Sequence, residues 1–412
     1  MRKNPSVEEL LEAYKPDHSL PGALYYDQAA YDFEMEAIWK AEWLFICNEC
    51  ELPEPGDFRT VEIGNNSIII VRSDENTVKA FYNTCRHRGS RICLEERGSS
   101  SRLTCPYHQW TYDLNGKLIF AQQVAEHVDF NQHGLKPVNL TNIAGLIYIC
   151  LSDAPPDIEK FRASVLPFVT PYEPAKTKVV YESVIIEKAN WKLVMENNRE
   201  CYHCAGSHPE LLVSLVESAL PDDPKTPGFL QIMEEKIQKW ESQGLPHEPV
   251  EGGNEFRCIR LPFNPGVMSM TLDGKLGCKK LISNFTDPDR GDIRMFRVPN
   301  SWHHFLADHI MHFRILPKGP YETEVRTTWH VHPDALEGWD YDPDRLAEVW
   351  LSTNAQDKHL AEQNALGVQS DAYEPGPYSP TGEFMVEHFN TWYMEAMRAM
   401  LSATSKRRAS GE

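Results

Sequence analysis

Apolar and polar positions divide the chain into stretches of different character. Residues 1–40 read as two helical pieces broken around Pro16–Pro21. From Trp43 to about Leu151 short alternating strands with turns take over. In FRTVEIGNNSIIIVRSDENTVKAFYNT the apolar run Ile68, Ile69, Ile70, Val71 lies between turn-prone Gly64-Asn65-Asn66 and Ser73-Asp74, which predicts a buried strand. WTYDLNGKLIF predicts a hairpin whose Asn115-Gly116 pair supplies positive φ angles. GLIYICLS, residues 145–152, closes this all-β stretch, and DAPPDIEKF reads as a linker.

Beyond the linker the periods mix. Residues 189–206 and 343–367 suit helices, whereas VMSMTLD, IMHFRILP and TEVRTTWHVHP suit strands. The last two flank KGPYE and are expected to form an antiparallel hairpin. Val386, Phe389, Tyr393, Ala396 and Met400 recur at three and four residues and predict a terminal helix after Thr381. SKRRASGE is expected to be disordered. The organisation is therefore a helical segment over 1–42, an all-β domain over 43–153, a mixed domain over 154–404 and a tail over 405–412.

Composition narrows the function classes. No run approaches eighteen apolar residues, which argues against a transmembrane helix. The N-terminus lacks an apolar core followed by a small-residue cleavage site, so a cytoplasmic protein is expected. Sixty acidic against 41 basic residues give a net charge of −19, which repels nucleic acid and suits a cationic substrate or basic partner. Ten cysteines in 412 residues are too few for a disulfide scaffold. Cys47/Cys50 and Cys201/Cys204 have the spacing of zinc-ribbon pairs, but about 150 residues separate them.

Candidate chemistry is densest in two places. The first is CRH at 85–87, then CPYH at 105–108, two Cys-then-His pairs separated by seventeen residues. As an inventory, Cys85, His87, Cys105 and His108 could hold zinc. Their order also allows two thiolates to take one iron and two imidazoles another, the Rieske [2Fe–2S] arrangement. The second place is NNRECYHCAGSHPE, 197–210. On an ideal helix Glu200, His203 and His208 fall within an arc of about 140°. Pro209 disfavours helix at His208, so the helix is expected to loosen near Gly206. Two histidines and one carboxylate on a common face hold a non-haem iron with open positions, although a surface helix with bystander histidines fits the same letters. His303, His304, His309, His312, His330 and His332 lie in strand candidates, where alternation and burial account for them.

CRHRGSRIC, CPYHQWTYDLNG and ECYHCAGSH together resemble the large subunit of Rieske non-haem iron oxygenases, over nearly the whole chain. One departure is Gln109, where the family usually has Gly after the second cluster histidine. The resemblance implies an α+β protein: an all-β Rieske domain inserted before a helix-grip catalytic domain with an antiparallel sheet. It implies a [2Fe–2S] cluster on Cys85, His87, Cys105 and His108, and a mononuclear Fe(II) on His203, His208 and a carboxylate of 354–367. There Asp357, five residues before Glu362, fits the family pattern, with Glu362 as the alternative. It implies a homotrimer in which Glu200 bridges His203 of one subunit and His108 of the next. Electrons would come from NADH through a separate reductase, because no GxGxxG after a strand and no plant-type ferredoxin spacing is present.

Most members carry Asp at the bridging position. Glu200, with LPFNPGVMSMTLDGK at 261–275, resembles the branch acting on quaternary ammonium compounds. That branch implies O₂-dependent N-demethylation of a betaine, proline betaine before glycine betaine, with carnitine- or choline-type oxidation next. An aromatic ring-hydroxylating dioxygenase and a non-catalytic Rieske electron carrier are the other readings. The N-methyl carbon is hydroxylated, and N–CH₂OH collapses to formaldehyde and the demethylated amine. A quaternary ammonium donates no hydrogen bond, so aromatic faces must recognise it; Trp302, Phe305, Trp329 and the aromatics of FNTWY are candidates. Cys201 and Cys204 are left as bystanders.

Overall fold

Ile68–Val71 are fully buried, as an unbroken apolar run between turns requires, inside the strand Asn66–Asp74. The structure, a computed structural model, describes residues 5–124, 129–215 and 229–410. The chain forms two compact units: Lys40–Asp157, and Met1–Trp39 together with Ile158–Glu412. Residues 1–4 of the N-terminal segment and 411–412 of the tail lie outside the described part.

The unit Lys40–Asp157 is all-β. Its seven-stranded sheet runs, edge to edge, Leu44–Asn48, Leu146–Cys150, Pro137–Ile143, Thr77–Tyr82, Asn66–Asp74, Asp57–Ile63 and Arg97–Ser99, every neighbour antiparallel. A second sheet of Leu103–Thr104, Thr111–Tyr112 and Leu118–Phe120 carries the WTYDLNGKLIF hairpin. Only Gly116 of the expected Asn115-Gly116 pair has positive φ, at 79°. The turn is longer than a two-residue loop because Asp113 accepts the backbone N–H of both Asn115 and Lys117 at 2.9 Å. Glycine is required at 116 for space as well, since a Cβ there would meet the Phe81 ring at 2.5 Å.

The second unit is built on a seven-stranded antiparallel sheet in the order Lys178–Glu187, Glu322–Val331, Ile310–Gly319, Ser301–Phe305, Asp292–Arg297, Phe256–Leu261 and Val250–Glu251. The hairpin across KGPYE is present, with Leu316 opposite Glu324. The helix Pro343–Gly367 packs on the edge strand Lys178–Glu187 and on the helix Trp191–Asn198. VMSMTLD is not a strand. Thr271 Oγ1 donates to the Lys275 carbonyl at 2.6 Å and Asp273 accepts the Lys275 N–H at 3.1 Å, so side chains close a loop that alternation alone reads as extended. The terminal helix runs Phe384–Ser410, so residues 405–410 continue as helix where disorder was expected.

Glu34 ties this unit together. It is fully buried and accepts from Lys192 Nζ at 2.5 Å, Trp191 Nε1 at 2.7 Å and Tyr393 Oη at 2.7 Å. The N-terminal segment, the helix Trp191–Asn198 and the terminal helix thus share one carboxylate. Removing one partner of a buried ion pair strands the other charge. Glu34→Ala is therefore expected to destabilise this unit by about 3–5 kcal/mol, read as a lowered midpoint of denaturant unfolding; a loss within error of zero rejects this account.

Candidate active site

The two Cys-His loops are local copies of each other. In the first, Cys85 N–H donates to Ser90 O at 2.8 Å and Gly89 N–H to Cys85 O at 2.9 Å. In the second, Cys105 N–H donates to Trp110 O at 2.8 Å and Gln109 N–H to Cys105 O at 3.1 Å. Each loop turns through positive φ at its fifth residue, 82° at Gly89 and 57° at Gln109. That geometry suits the glycine that the resemblance leads one to expect at the second place. Gln109→Gly is expected to raise stability by about 0.5–1 kcal/mol, measured as a higher temperature for loss of visible cluster absorbance; no rise speaks against strain at 109.

Both thiols are buried, whereas His87 is exposed and His108 half-buried. The two rings stand 4.6 Å apart, and His87 stacks on Trp110 at 4.9 Å. Tyr112 Oη lies 3.5 Å from Cys85 Sγ and accepts the Arg86 N–H at 3.0 Å. Burial pushes the Cys85 thiol up, so a thiolate there needs a metal to hold it. Two inner sulfurs and two outer imidazoles are the donor set that a Rieske cluster requires.

The second site sits where the helix Trp191–Asn198 ends. Glu200 lies outside the helix, so the continuous helix expected over 189–206 is broken. Glu200 accepts the backbone N–H of Tyr202 and, at 3.3 Å, of His203, which turns the chain before the short helix Cys204–Ser207. Cys201 and Cys204 form a disulfide across this turn. Cys204 Sγ comes within 4.8 Å of the histidine nitrogens, yet as a disulfide sulfur it has no thiolate to offer.

Glu200 Oε1 takes the Nδ1 of His203 at 2.5 Å, and Gln356 Oε1 takes the Nδ1 of His208 at 2.8 Å. Both rings are thereby fixed with Nδ1 protonated and Nε2 bare. The two Nε2 atoms lie 2.9 Å apart, and Asp357 Oδ1 is 3.3 Å from one and 2.9 Å from the other. Asp357 Oδ1 is buried and, among the described residues, meets no polar group but these two histidine nitrogens. Three donor atoms converge on one point, an arrangement that a metal cation or a shared proton resolves. Without the cation, burial opposes charging His203, but Asp357 and Glu200 outweigh it and hold its pKa up at about 9. A proton thus competes for the place a metal would take.

Asp357 and Glu362 both lie on the helix Pro343–Gly367, but only Asp357 reaches the histidines. Glu362 accepts the Lys188 N–H at 2.9 Å. Glu187 carries a carboxyl pushed up to about 8, by burial first and then by Asp357 and Glu362, so it adds no further charge at neutral pH.

A cavity of about 650 Å³ opens beside this trio. Of the aromatic candidates, Trp302 lines it; Phe305, Trp329, Phe389, Trp392 and Tyr393 are buried in the core instead. Phe296, Trp350 and Phe384 line it too and carry no signal in the sequence. His303 and His304 also face it. Burial and neighbouring positive groups hold His303 down at about 3 and His312 well below its ordinary value, and the two rings meet at 2.9 Å. These strand histidines belong to the sheet.

A Rieske [2Fe-2S] domain model matches residues 42–134, and a ring hydroxylating alpha subunit (catalytic domain) model matches 174–399. The chain is a Rieske oxygenase alpha subunit. As such it is a non-haem iron enzyme that uses a Rieske cluster and a mononuclear iron. This alpha subunit is 47% identical over 400 residues to the glycine betaine monooxygenase oxygenase subunit of Chromohalobacter salexigens, covering 97% of this chain and 90% of the relative. The Pseudomonas aeruginosa protein of the same name is 44% identical, covering 95% and 92%. The quaternary ammonium Rieske monooxygenase CntA, solved with L-carnitine, superposes with a TM-score of 0.69 at 20% identity over 96% of this chain and 100% of that one, a likeness of fold. Among the described residues no helix is long and apolar enough to cross a membrane.

Gln356 escaped the sequence reading, although it adjoins Asp357. It also donates to Glu210 at 2.8 Å, linking His208 to a second carboxylate. Nothing in the local sequence marks that link.

Proposed function

We propose that this alpha subunit N-demethylates a betaine, glycine betaine before others. The observation that carries the proposal is similarity at 44–47% identity, across nearly the full length of both chains, to oxygenase subunits named for glycine betaine. Proline betaine, which the motifs alone favour, is the second reading. The branch motifs ECYHC and LPFNPGVMSMTLDGK support both substrates.

In this reading Cys85, His87, Cys105 and His108 hold the cluster, and His203, His208 and Asp357 hold the iron. Neutral imidazoles and one carboxylate leave the metal with net charge +1 and open positions. When bound, that iron supplies the activation of O₂. Gln356 fixes the His208 ring and Glu200 the His203 ring. Trp302 and its aromatic neighbours offer faces to a trimethylammonium group. The N-methyl carbon gains one oxygen atom from O₂; two electrons and two protons carry the other to water. N–CH₂OH then releases formaldehyde and a proton, leaving the tertiary amine. NADH supplies the electrons through a separate reductase. The subunit works as a homotrimer, Glu200 joining His203 to the His108 of a neighbouring subunit.

Reconstitution with an NADH-dependent reductase tests this directly. Formaldehyde and dimethylglycine are expected from glycine betaine, less formaldehyde from proline betaine, and no oxidation of an aromatic acid. Formaldehyde from proline betaine alone favours the second reading. Hydroxylation of the aromatic acid alone rejects both.

A further inference from the structure

Three arginines line the cavity beside the histidine pair, and two of them are already engaged. Arg257 pairs with Glu251 at 3.1 Å and Arg294 with Asp292 at 2.9 Å. Among the described residues Arg199 has no carboxylate partner. It is 4% exposed, its Nε and one terminal nitrogen are buried without any hydrogen-bond acceptor, and its other terminal nitrogen reaches only the neutral Asn198 side chain. Its guanidinium stacks 3.9 Å over Phe296, which lines the same cavity. A buried unpaired guanidinium is costly unless an anion completes it. Burial indeed depresses Arg199 to about 9, the mark of a cation lacking its counter-charge.

We propose that Arg199 receives the carboxylate of the substrate, so that this cavity selects zwitterions carrying both a carboxylate and a quaternary ammonium. The inference rests on the betaine reading and adds the group that distinguishes a betaine from a simple quaternary amine. The planar fork of Arg199 matches a carboxylate bidentately. Phe296 holds the fork flat on one side, and the trimethylammonium end is left to the aromatic wall near His203 and Asp357. Arg199 is four residues before His203, and both line the one cavity.

The test compares glycine betaine with choline, which has the same cation and no carboxylate, by calorimetric binding to the metal-loaded holoenzyme. Wild-type enzyme is expected to prefer glycine betaine. Arg199→Met, which keeps the volume, should weaken glycine betaine about 30-fold, the size of a charge-assisted hydrogen-bonded pair, with choline changed less than about 3-fold. Arg199→Lys should recover part of the loss. Unfolding temperature without ligand should not fall in Arg199→Met, because no ion pair is broken and relief of a buried unpaired charge offsets loss of the Asn198 hydrogen bond. Should that variant not fold, Arg199→Lys carries the same comparison with a smaller ratio. Equal losses for both ligands, no loss for either, or wild-type enzyme that does not prefer glycine betaine overturns the assignment. Turnover judges the demethylase reading separately: wild-type enzyme that binds glycine betaine yet releases no formaldehyde removes that reading and leaves Arg199 standing.

Discussion

Glu200→Gln is expected to keep both metal centres and to cut reductase-driven turnover about 100-fold, the upper end for an outer-shell partner. The carboxylate has two oxygens with different tasks. Oε1 holds the Nδ1 of His203 at 2.5 Å, while Oε2 closes the turn by accepting the Tyr202 and His203 N–H groups. A glutamine has one acceptor and one donor. It can serve the imidazole or the turn, and it cannot accept from a further imidazole in the proposed bridge. The loss should therefore fall on electron delivery. With substrate and O₂ present, the reduced cluster should reoxidise slowly in visible absorbance. Hydrogen peroxide carries its own oxidising equivalents, so formaldehyde formed with it should persist near the wild-type level. Normal reductase-driven turnover would end the bridge hypothesis, and loss of the peroxide-driven reaction as well would assign Glu200 to holding the iron site together.

Much of this site is legible because its parts are close in sequence. CRH and CPYH are short loops whose Cys-then-His order groups the four donors, and the resemblance made Gln109 conspicuous; the buried sulfurs, outer imidazoles and fifth-residue turn came only with the fold. Glu200, His203 and His208 lie within nine residues. Their grouping was readable, but their mechanism of grouping was not. A continuous helix was the simplest way to align them, whereas the chain uses a carboxylate-capped turn after Asn198. A side chain bonding to nearby backbone leaves no periodic trace, and the same cause misled the reading of VMSMTLD.

What stayed hidden depends on tertiary placement. Gln356 and Arg199 each stand beside a residue that the motifs single out, yet what gives each its place lies far off in sequence, His208 for Gln356 and the Phe296 ring for Arg199. Gln356 acts on His208, 148 residues away. Arg199 is defined by the carboxylate it lacks among the described residues, and only burial reveals that lack. The aromatic candidates failed for a related reason. Alternation marks a strand's buried side chains without saying which of them face a cavity, so Trp302 was found and Phe296 was not.

Asp357→Ala is expected to have the largest effect of any single change, removing the mononuclear iron while leaving the cluster. Asp357 is the one anionic donor of the trio, and its Oδ1 lies 2.9 Å and 3.3 Å from the two Nε2 atoms. Burial opposes its charge, but without a metal the two imidazoles, held protonated beside it, outweigh that and keep its carboxyl below the usual range. Without it, two neutral imidazoles face each other at 2.9 Å with nothing to offset a divalent charge. Iron affinity should fall by more than the roughly 100-fold that loss of an outer-shell partner costs, and formaldehyde release should fall with it. Analysis of the purified variant should give two irons and two sulfides per chain, against three irons in the parent. Glu362→Ala is the matched control. Its carboxylate caps the Lys188 N–H and should be replaceable with the third iron retained. If Glu362→Ala loses that iron and Asp357→Ala keeps it, the ligand has been assigned to the wrong residue of the helix, and the convergence of lone pairs at Asp357 must then be served by a proton.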